Sequence, residues 1–128
     1  MLVGGPGDAR AGEDIKKRAT HVPIPVMTLI GRTDLPALAG VLLQCRGLVT
    51  NDSGAMHFGA ALGVRVTAMF GPTDEQATRP LGRNTSSEPV VLTHDVWCRP
   101  CLLRECPLTH RCMRGIGVDA VLDAVQRP

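Results

Sequence analysis

Apolar and polar positions follow two different periods along the chain. Five short apolar runs, each bounded by glycine, proline or polar residues, predict strands: residues 2–3, 26–30, 48–50, 64–70 and 90–92. Four further segments predict helices, namely residues 9–20, 35–45, 54–62 and 117–126. In two of these, 35–45 and 117–126, the apolar side chains recur at three- and four-residue intervals.

Strands and helices alternate in this pattern, which is typical of an α/β fold with a Rossmann-like parallel sheet and helices on both faces. Two segments fit neither period: residues 74–88, which are polar and predicted to be irregular, and the cysteine-rich residues 98–112. We expect residues 1–128 to form a single domain. The first apolar run is shorter than an ordinary strand, and we expect the chain to begin inside a larger protein.

Composition narrows the class of protein. Aromatic residues make up only 2% of the 128 residues, so the core must be aliphatic. The net charge is +2, and the basic residues are scattered apart from a group among the cysteines, so nucleic acid is not an expected partner. No apolar run approaches the ~20 residues of a transmembrane segment, and no signal peptide is visible. We expect a cytoplasmic location, at most peripheral to the inner membrane, with reduced thiols.

Three predicted strands end in loops of similar chemistry: GGPGD at 4–8, TNDSG at 50–54 and FGPTD at 70–74. Each loop combines glycine, which allows close backbone approach, with an acid or a hydroxyl that can form hydrogen bonds. Ligands of parallel sheets bind beyond the carboxyl ends of the strands. The three loops together predict a site for a nucleotide or a nucleotide sugar.

The middle loop, in VTNDSGAMHFGAALG at 49–63, joins a predicted strand to a predicted helix. The first backbone N–H groups of that helix have no intrahelical partner and, together with the helix dipole, favour an anion such as phosphate. Asp52 and Ser53 are also favoured helix caps, so a cap without a ligand is the alternative. His57 lies four residues after Ser53, on the same helix face, from which it could reach a phosphate.

These segments together resemble the C-terminal half of the ADP-heptose:lipopolysaccharide heptosyltransferases of glycosyltransferase family 9, in particular the heptosyltransferase II branch. The resemblance is carried by GGPGD, by LIGRTDLPALAGVL at 29–42, by the 49–63 segment and by FGPTD; WCRPCLLRECPLTHRCM at 97–113 is similar to a cysteine-rich insert of some members. The family has the GT-B fold, in which two Rossmann-like domains enclose the active site. The resemblance implies that the N-terminal acceptor domain, with the catalytic base, is absent here.

The resemblance also implies roles for individual residues. Asp52, Ser53, Gly54 and His57 correspond to the donor-contacting motif, with His57 stabilising the leaving group. Thr33 is expected either to cap the next helix or to contact the nucleotide, and Asp8 to bind ribose hydroxyls. Gly71 and Thr73 form either a donor contact or a plain strand exit. The implied donor is ADP-heptose and the implied acceptor is the lipopolysaccharide inner core, bound through the absent domain. No cofactor is expected for catalysis.

Four cysteines lie within residues 97–114: Cys98, Cys101, Cys106 and Cys112. A C-x2-C pair suits tetrahedral zinc, and four thiols in one short segment of a cytoplasmic protein favour a metal over disulfides. The alternatives are disulfides, a reduced cluster or an iron–sulfur cluster. Arg99 and the other arginines of the segment are expected to offset thiolate charge, meet a phosphorylated acceptor or form a solvated face.

Two other functions are consistent with the residues alone. The first is a non-catalytic, zinc-binding interaction module on a Rossmann-like scaffold, and the second is an inactive fragment. Binding of ADP separates the glycosyltransferase hypothesis from the interaction module, because only the first requires a diphosphate site at residues 49–57.

Overall fold

The computed structural model describes residues 1–21, 23–82 and 88–127. The chain divides into two compact units, Met1–Val41 and Leu42–Pro128. No helix among the described residues is long and apolar enough to cross a membrane.

The first unit contains the glycine loop and helix α1, Ala9–Arg18, with short 3-10 helices at Pro6–Asp8 and Ala19–His21. The two strands predicted at residues 2–3 and 26–30 are reduced to one parallel bridge between Leu2 and Thr28. Its hydrogen bonds run from Leu2 N to Met27 O and from Leu29 N to Leu2 O, both 2.8 Å.

Helix α2, Leu35–Leu43, begins at the end of this unit and ends two residues before the predicted boundary. The Asp34 side chain starts the helix, because its Oδ1 accepts a hydrogen bond from Ala37 N at 2.8 Å. The alternative in which Thr33 caps this helix is therefore wrong.

The second unit is built on a three-stranded parallel sheet in the order β1-β2-β3, with β1 at Leu48–Asn51, β2 at Val66–Phe70 and β3 at Val90–Thr93. Helix α3, Gly54–Ala61, follows β1 and packs on β1 and β2. Helix α6, Val118–Gln126, packs on β2 and β3. The predicted α/β class with a parallel sheet is confirmed.

Strand β2 is the centre of the core, because Val66, Ala68 and Phe70 are completely buried. A central parallel strand is covered on both faces and therefore reads as a continuous apolar run. The α3 residues Met56 and Ala60 are also buried, at 0% and 1% exposure, so the core is largely aliphatic as expected.

Three local predictions differ from the structure. Helix α4, Glu75–Thr78, lies in the segment expected to be irregular, and helix α5, Arg111–Arg114, lies at the end of the cysteine-rich segment. Residues 83–87 of the first segment lie outside the described residues. In α6 the predicted apolar face is displaced, because Val118 is 74% exposed whereas Ala124 is 1% exposed.

Candidate functional site

The candidate site lies at the carboxyl edge of the sheet, where the loops after β1 and β2 meet. The two strands are parallel neighbours, with Asn51 paired to Met69, so their carboxyl ends lie side by side. Two hydrogen bonds join the loops that follow: Asp52 N donates to Met69 O at 3.3 Å, and Thr78 Oγ1 donates to Asp52 Oδ2 at 3.4 Å. The structure thus brings together two of the three predicted ligand loops.

The start of α3 leaves its first amides without a side-chain cap. Ser53 occupies the N-cap position in extended conformation, with φ −160° and ψ 167°, but its hydroxyl makes no capping hydrogen bond. The Ser53 Oγ lies instead 3.2 Å from Thr50 Oγ1. A plain serine cap, the alternative suggested by the sequence, is therefore not what this side chain forms, and the helix end keeps its capacity to bind an anion.

Asp52 and His57 lie on either side of this helix start. Asp52 is half-buried and is braced by Thr78, whereas His57 is exposed on α3. An exposed imidazole one turn into the helix has room to reach a ligand at the N-terminus. His57 is the fourth residue of α3, whereas Ser53 precedes the helix as its N-cap in extended conformation, so the shared face of the two residues stays a prediction.

The loop after β2 contains two of the predicted site residues, Gly71 and Thr73. Gly71 is buried, and a Cβ atom at this position would lie 2.5 Å from Met113 Cγ, so a larger residue here would require the Met113 side chain to shift. The Thr73 hydroxyl is buried and has no hydrogen-bond partner among the described residues. An orphaned hydroxyl of this kind costs stability unless a ligand or water satisfies it.

Arg99 holds this loop to the cysteine-rich segment. Its Nε donates to Gly71 O at 2.8 Å. Its Nη2 donates to Thr73 O at 3.3 Å and forms an ion pair with Glu75 Oε2 at 2.7 Å. The Arg99 side chain is only 8% exposed. The prediction that Arg99 lies on a solvated face is therefore wrong, whereas contact of the segment's arginines with a phosphorylated acceptor stays a prediction.

The carboxylate of Glu75 is stabilised in its ionised form. A hydrogen bond with its own backbone lowers the pKa of Glu75 from the ordinary value of 4.5, and the hydrogen bond and charge of Arg99 lower it further. Partial burial acts in the opposite direction but does not outweigh them.

Asp8 and Thr33 belong to the first unit. The Asp8 Oδ2 accepts a hydrogen bond from Gly5 N at 2.8 Å, so this carboxylate closes its own glycine loop. Thr33 is half-buried next to the capping residue Asp34. The ligand roles predicted for both residues are untested by these contacts.

The four cysteines of the 97–114 segment are not arranged as a metal centre. None of the four forms a disulfide; Cys112 is buried and the other three are half-buried. Among residues 1–21, 23–82 and 88–127, no three His, Cys, Asp or Glu side chains are placed to hold a metal ion. Cys106 Sγ instead accepts hydrogen bonds from Leu108 N at 3.4 Å and His110 N at 3.2 Å. This arrangement does not support the predicted zinc site.

The family model described as glycosyltransferase family 9 (heptosyltransferase) matches residues 1–111. The chain belongs to glycosyltransferase family 9. Its relatives include lipooligosaccharide heptosyltransferase 2 of Campylobacter jejuni serotype O:2, 35% identical over 96% of this chain and 39% of the relative. Lipopolysaccharide heptosyltransferase 2 of Escherichia coli K12 is 35% identical over 63% of this chain and 24% of the relative.

Solved structures of family 9 share the fold. The E. coli ADP-heptose lps heptosyltransferase II superposes with a TM-score of 0.73 and 26% identity, covering 97% of this chain and 34% of that one. The family 9 glycosyltransferase of Veillonella parvula, at 23% identity, superposes with a TM-score of 0.65. The chain spans about 40% of the length of the C. jejuni relatives it matches.

Sequence reasoning missed the residues that connect the parts of this site. Thr78 was grouped with an irregular segment, Glu75 received no role, and Arg99 was assigned to the solvent or to the thiols. The only local signal was Asp74, whose Oδ1 caps α4 by accepting from Gln76 N at 2.9 Å. A capping residue followed by polar helix formers predicts a short helix in a segment without an apolar period.

Proposed function

We propose that this chain is the donor-binding part of a family 9 glycosyltransferase that transfers heptose from ADP-heptose to the lipopolysaccharide inner core. Family membership and the heptosyltransferase relatives support the reaction class. The geometry supports the location, because the uncapped start of α3 lies beside the loop after β2 at the carboxyl edge of the sheet.

The single observation that carries the proposal is the start of α3. The Ser53 hydroxyl is turned toward Thr50, so the first two amides of α3 are left for a diphosphate. The helix dipole adds a favourable interaction with negative charge at this end. Ser53 and Gly54 would then contact the diphosphate, while Thr73 supplies a hydroxyl and Asp52 faces a sugar hydroxyl or braces the turn. Gly71, in the same loop as Thr73, completes the proposed donor contacts of the second unit.

The chemistry is a direct displacement at the anomeric carbon of heptose. An acceptor oxygen forms a bond to this carbon while the bond to the β-phosphate oxygen breaks, and the electron pair leaves with ADP. His57 donates a hydrogen bond to the departing phosphate, and the helix end stabilises the charge that develops there. The acceptor proton goes to a general base that the family resemblance places in the N-terminal domain. This arrangement needs no cofactor.

The test is calorimetry of ADP binding to the purified 128-residue chain. We expect weak binding that falls by roughly tenfold or more in His57→Ala, since a charge-assisted hydrogen bond contributes ~1.5–3 kcal/mol. His21→Ala is the matched control, because His21 is another exposed histidine that has no proposed role. Equal ADP affinity of His57→Ala and the unmodified chain would remove His57 from the site, and no ADP binding at all would overturn the proposal.

A further inference from the structure

Three consecutive carbonyl groups of the loop after β2 accept hydrogen bonds from residues 99–102. The Arg99 side chain binds Gly71 O and Thr73 O, at 2.8 and 3.3 Å. Between them, Pro72 O accepts from Cys101 N at 3.0 Å and from Leu102 N at 2.9 Å. The cysteine-rich segment therefore fixes the whole carbonyl edge of this loop.

The Arg99 contacts are of a kind that other residues do not reproduce. A guanidinium carries five donors in a rigid plane, so one side chain can hold two carbonyl groups and a carboxylate at once. Because the side chain is 8% exposed, its charge depends on these partners for solvation. The loop is thus held by a buried charge whose partners belong to the loop itself.

The contacts of this loop continue to Asp52, which lies between β1 and the start of α3. Glu75, the ion-pair partner of Arg99, is the first residue of α4, and Thr78 is its last. Thr78 Oγ1 donates to Asp52 Oδ2 at 3.4 Å, next to Ser53. A continuous series of contacts therefore runs from Arg99 through residues 71–78 to Asp52.

From this series we propose that Arg99 is a positioning residue: through residues 71–78 it sets the place of the Thr73 hydroxyl and of Asp52, and so the affinity for a nucleoside diphosphate. The proposal rests on the proposed function for the identity of the ligand. The positioning role itself means that the cysteine-rich segment acts on the donor site through backbone carbonyl groups, and neither through a metal nor by touching the acceptor.

The first experiment compares Arg99→Lys with Arg65→Lys, using ADP as the probe. Arg65 also donates to a backbone carbonyl, that of Arg127, but it directly precedes β2 at the opposite end of the strand from Gly71. We expect the ADP dissociation constant to rise roughly tenfold in Arg99→Lys, the equivalent of one hydrogen bond. In Arg65→Lys it should stay within about twofold, although both variants lose some thermal stability. Unchanged ADP affinity in folded Arg99→Lys would overturn the proposal.

Chemical rescue separates positioning from general destabilisation. In Arg99→Ala, millimolar ethylguanidinium should restore most of the lost ADP affinity, because the planar cation can occupy the vacated position between Gly71 O and Glu75. Ethylammonium, which has the charge without the planar donors, should restore much less. Equal rescue by both cations, or none by either, would mean that the geometry of the guanidinium is not what the site requires.

A second measurement needs no ligand, so it tests the positioning role of Arg99 independently of the proposed donor binding. Gln76 N is held by Asp74 Oδ1, and Ala77 N and Thr78 N by Asp74 O, so their hydrogen exchange reports the order of residues 71–78. We expect faster exchange of these amides in Arg99→Lys and no change in Arg65→Lys. If the unmodified chain does not bind ADP, the proposed function fails while this comparison still decides the positioning role. Unchanged exchange in Arg99→Lys would refute that role.

Discussion

Ser53 illustrates, at the residue scale, how a favoured residue type can serve a different purpose from the usual one. Serine at an N-cap normally accepts a hydrogen bond from the second or third helical amide. Here the hydroxyl lies 3.2 Å from Thr50 Oγ1, and the backbone carbonyl of Ser53 accepts from Met56 N at 3.1 Å. The helix starts without help from the side chain, which leaves its first two amides, those of Gly54 and Ala55, for a ligand.

This arrangement predicts a separation of stability from binding. Ser53→Ala should change the free energy of unfolding by less than ~0.5 kcal/mol, since no capping bond is lost and the Thr50 hydroxyl still donates to Asn51 O at 3.0 Å. It should weaken ADP binding by removing a hydroxyl at the diphosphate. Asp34→Ala is the matched control, because Asp34 does cap its helix and its loss should cost ~1 kcal/mol. Denaturant unfolding and ADP calorimetry measure the two effects. A Ser53→Ala variant as unstable as Asp34→Ala would contradict this account of the corner.

Helix α4 is the element whose role depends most on its surroundings. It has only four residues, no buried side chain and no apolar period, so it is not stable by itself. Two contacts at its N-terminal end hold it in place, namely the Asp74 cap and the Arg99–Glu75 ion pair. Its order is therefore a consequence of the tertiary contacts of the loop after β2.

The ion pair predicts a specific pH dependence of stability. The pKa of Glu75 is lowered in the folded chain, so its stabilising contribution is complete above the unfolded value of 4.5 and is lost as the pH falls through the folded value. Glu75→Gln should therefore be less stable than the unmodified chain at pH 7, and the difference should shrink below pH ~4.5.

Urea unfolding of both chains between pH 3 and pH 7 measures this difference. Glu13→Gln is the control, because Glu13 forms an exposed pair with Lys16 that contributes little at any pH. A difference between Glu75→Gln and the unmodified chain that is constant across this range would rule out the ion pair as its source.

The cysteine-rich segment is ordered by contacts with the loop after β2 and with the core. Arg99, Cys101 and Leu102 bind the loop carbonyl groups, and Cys112 is 5% exposed. These contacts explain how a segment without a period of its own can be fixed without a metal centre. They also change the expected result of metal analysis.

We expect protein purified under reducing conditions, without a metal-binding tag, to contain zinc well below one equivalent per chain. The reason is that no three ligand side chains come together in the described part of the chain. Elemental analysis and titration of the thiols in the folded protein measure this, with Cys98→Ser as the comparison. Stoichiometric zinc that disappears in Cys98→Ser would restore the zinc site suggested by the cysteine spacing.

At the scale of the whole molecule, the second unit is organised so that its two proposed functional loops share one edge of the sheet. The parallel pairing of β1 and β2 places Asp52 and the Gly71–Thr73 loop next to one another. The chain matches family 9 over residues 1–111 but spans about 40% of the C. jejuni relatives. The proposed donor binding can therefore be tested apart from group transfer.

We predict that the 128-residue chain alone transfers no heptose from ADP-heptose to the lipopolysaccharide inner-core acceptor of the E. coli heptosyltransferase II. The proposed residues hold the donor and stabilise the departing ADP, while the general base is expected from the N-terminal domain. Mass spectrometry of the acceptor after incubation is the measurement, and the E. coli heptosyltransferase II is the positive control. A heptose-sized mass increase with the chain alone would show that it carries its own base.

The amino-acid sequence determined the local elements and the residue types of the site. The α/β class, strands β1 to β3 and helices α1, α2, α3 and α6 follow from periods and boundary residues that act over short distances along the chain. The N-D-S-G corner and His57 were also recognisable, because a strand–turn–helix motif is a local feature. Only two apolar residues stood before the glycine loop, so the strength of the first strand pairing was not readable in the same way.

Only the tertiary structure decided which distant groups meet. Arg99 is 24 residues from Glu75 and 28 from Gly71, and Thr78 is 26 from Asp52. No sequence period links positions so far apart, and their contact depends on how β2, the loop after it and the cysteine-rich segment pack. The burial of Arg99 also depends on the tertiary structure, because a guanidinium is buried only where carbonyl groups and a carboxylate are arranged to bind it.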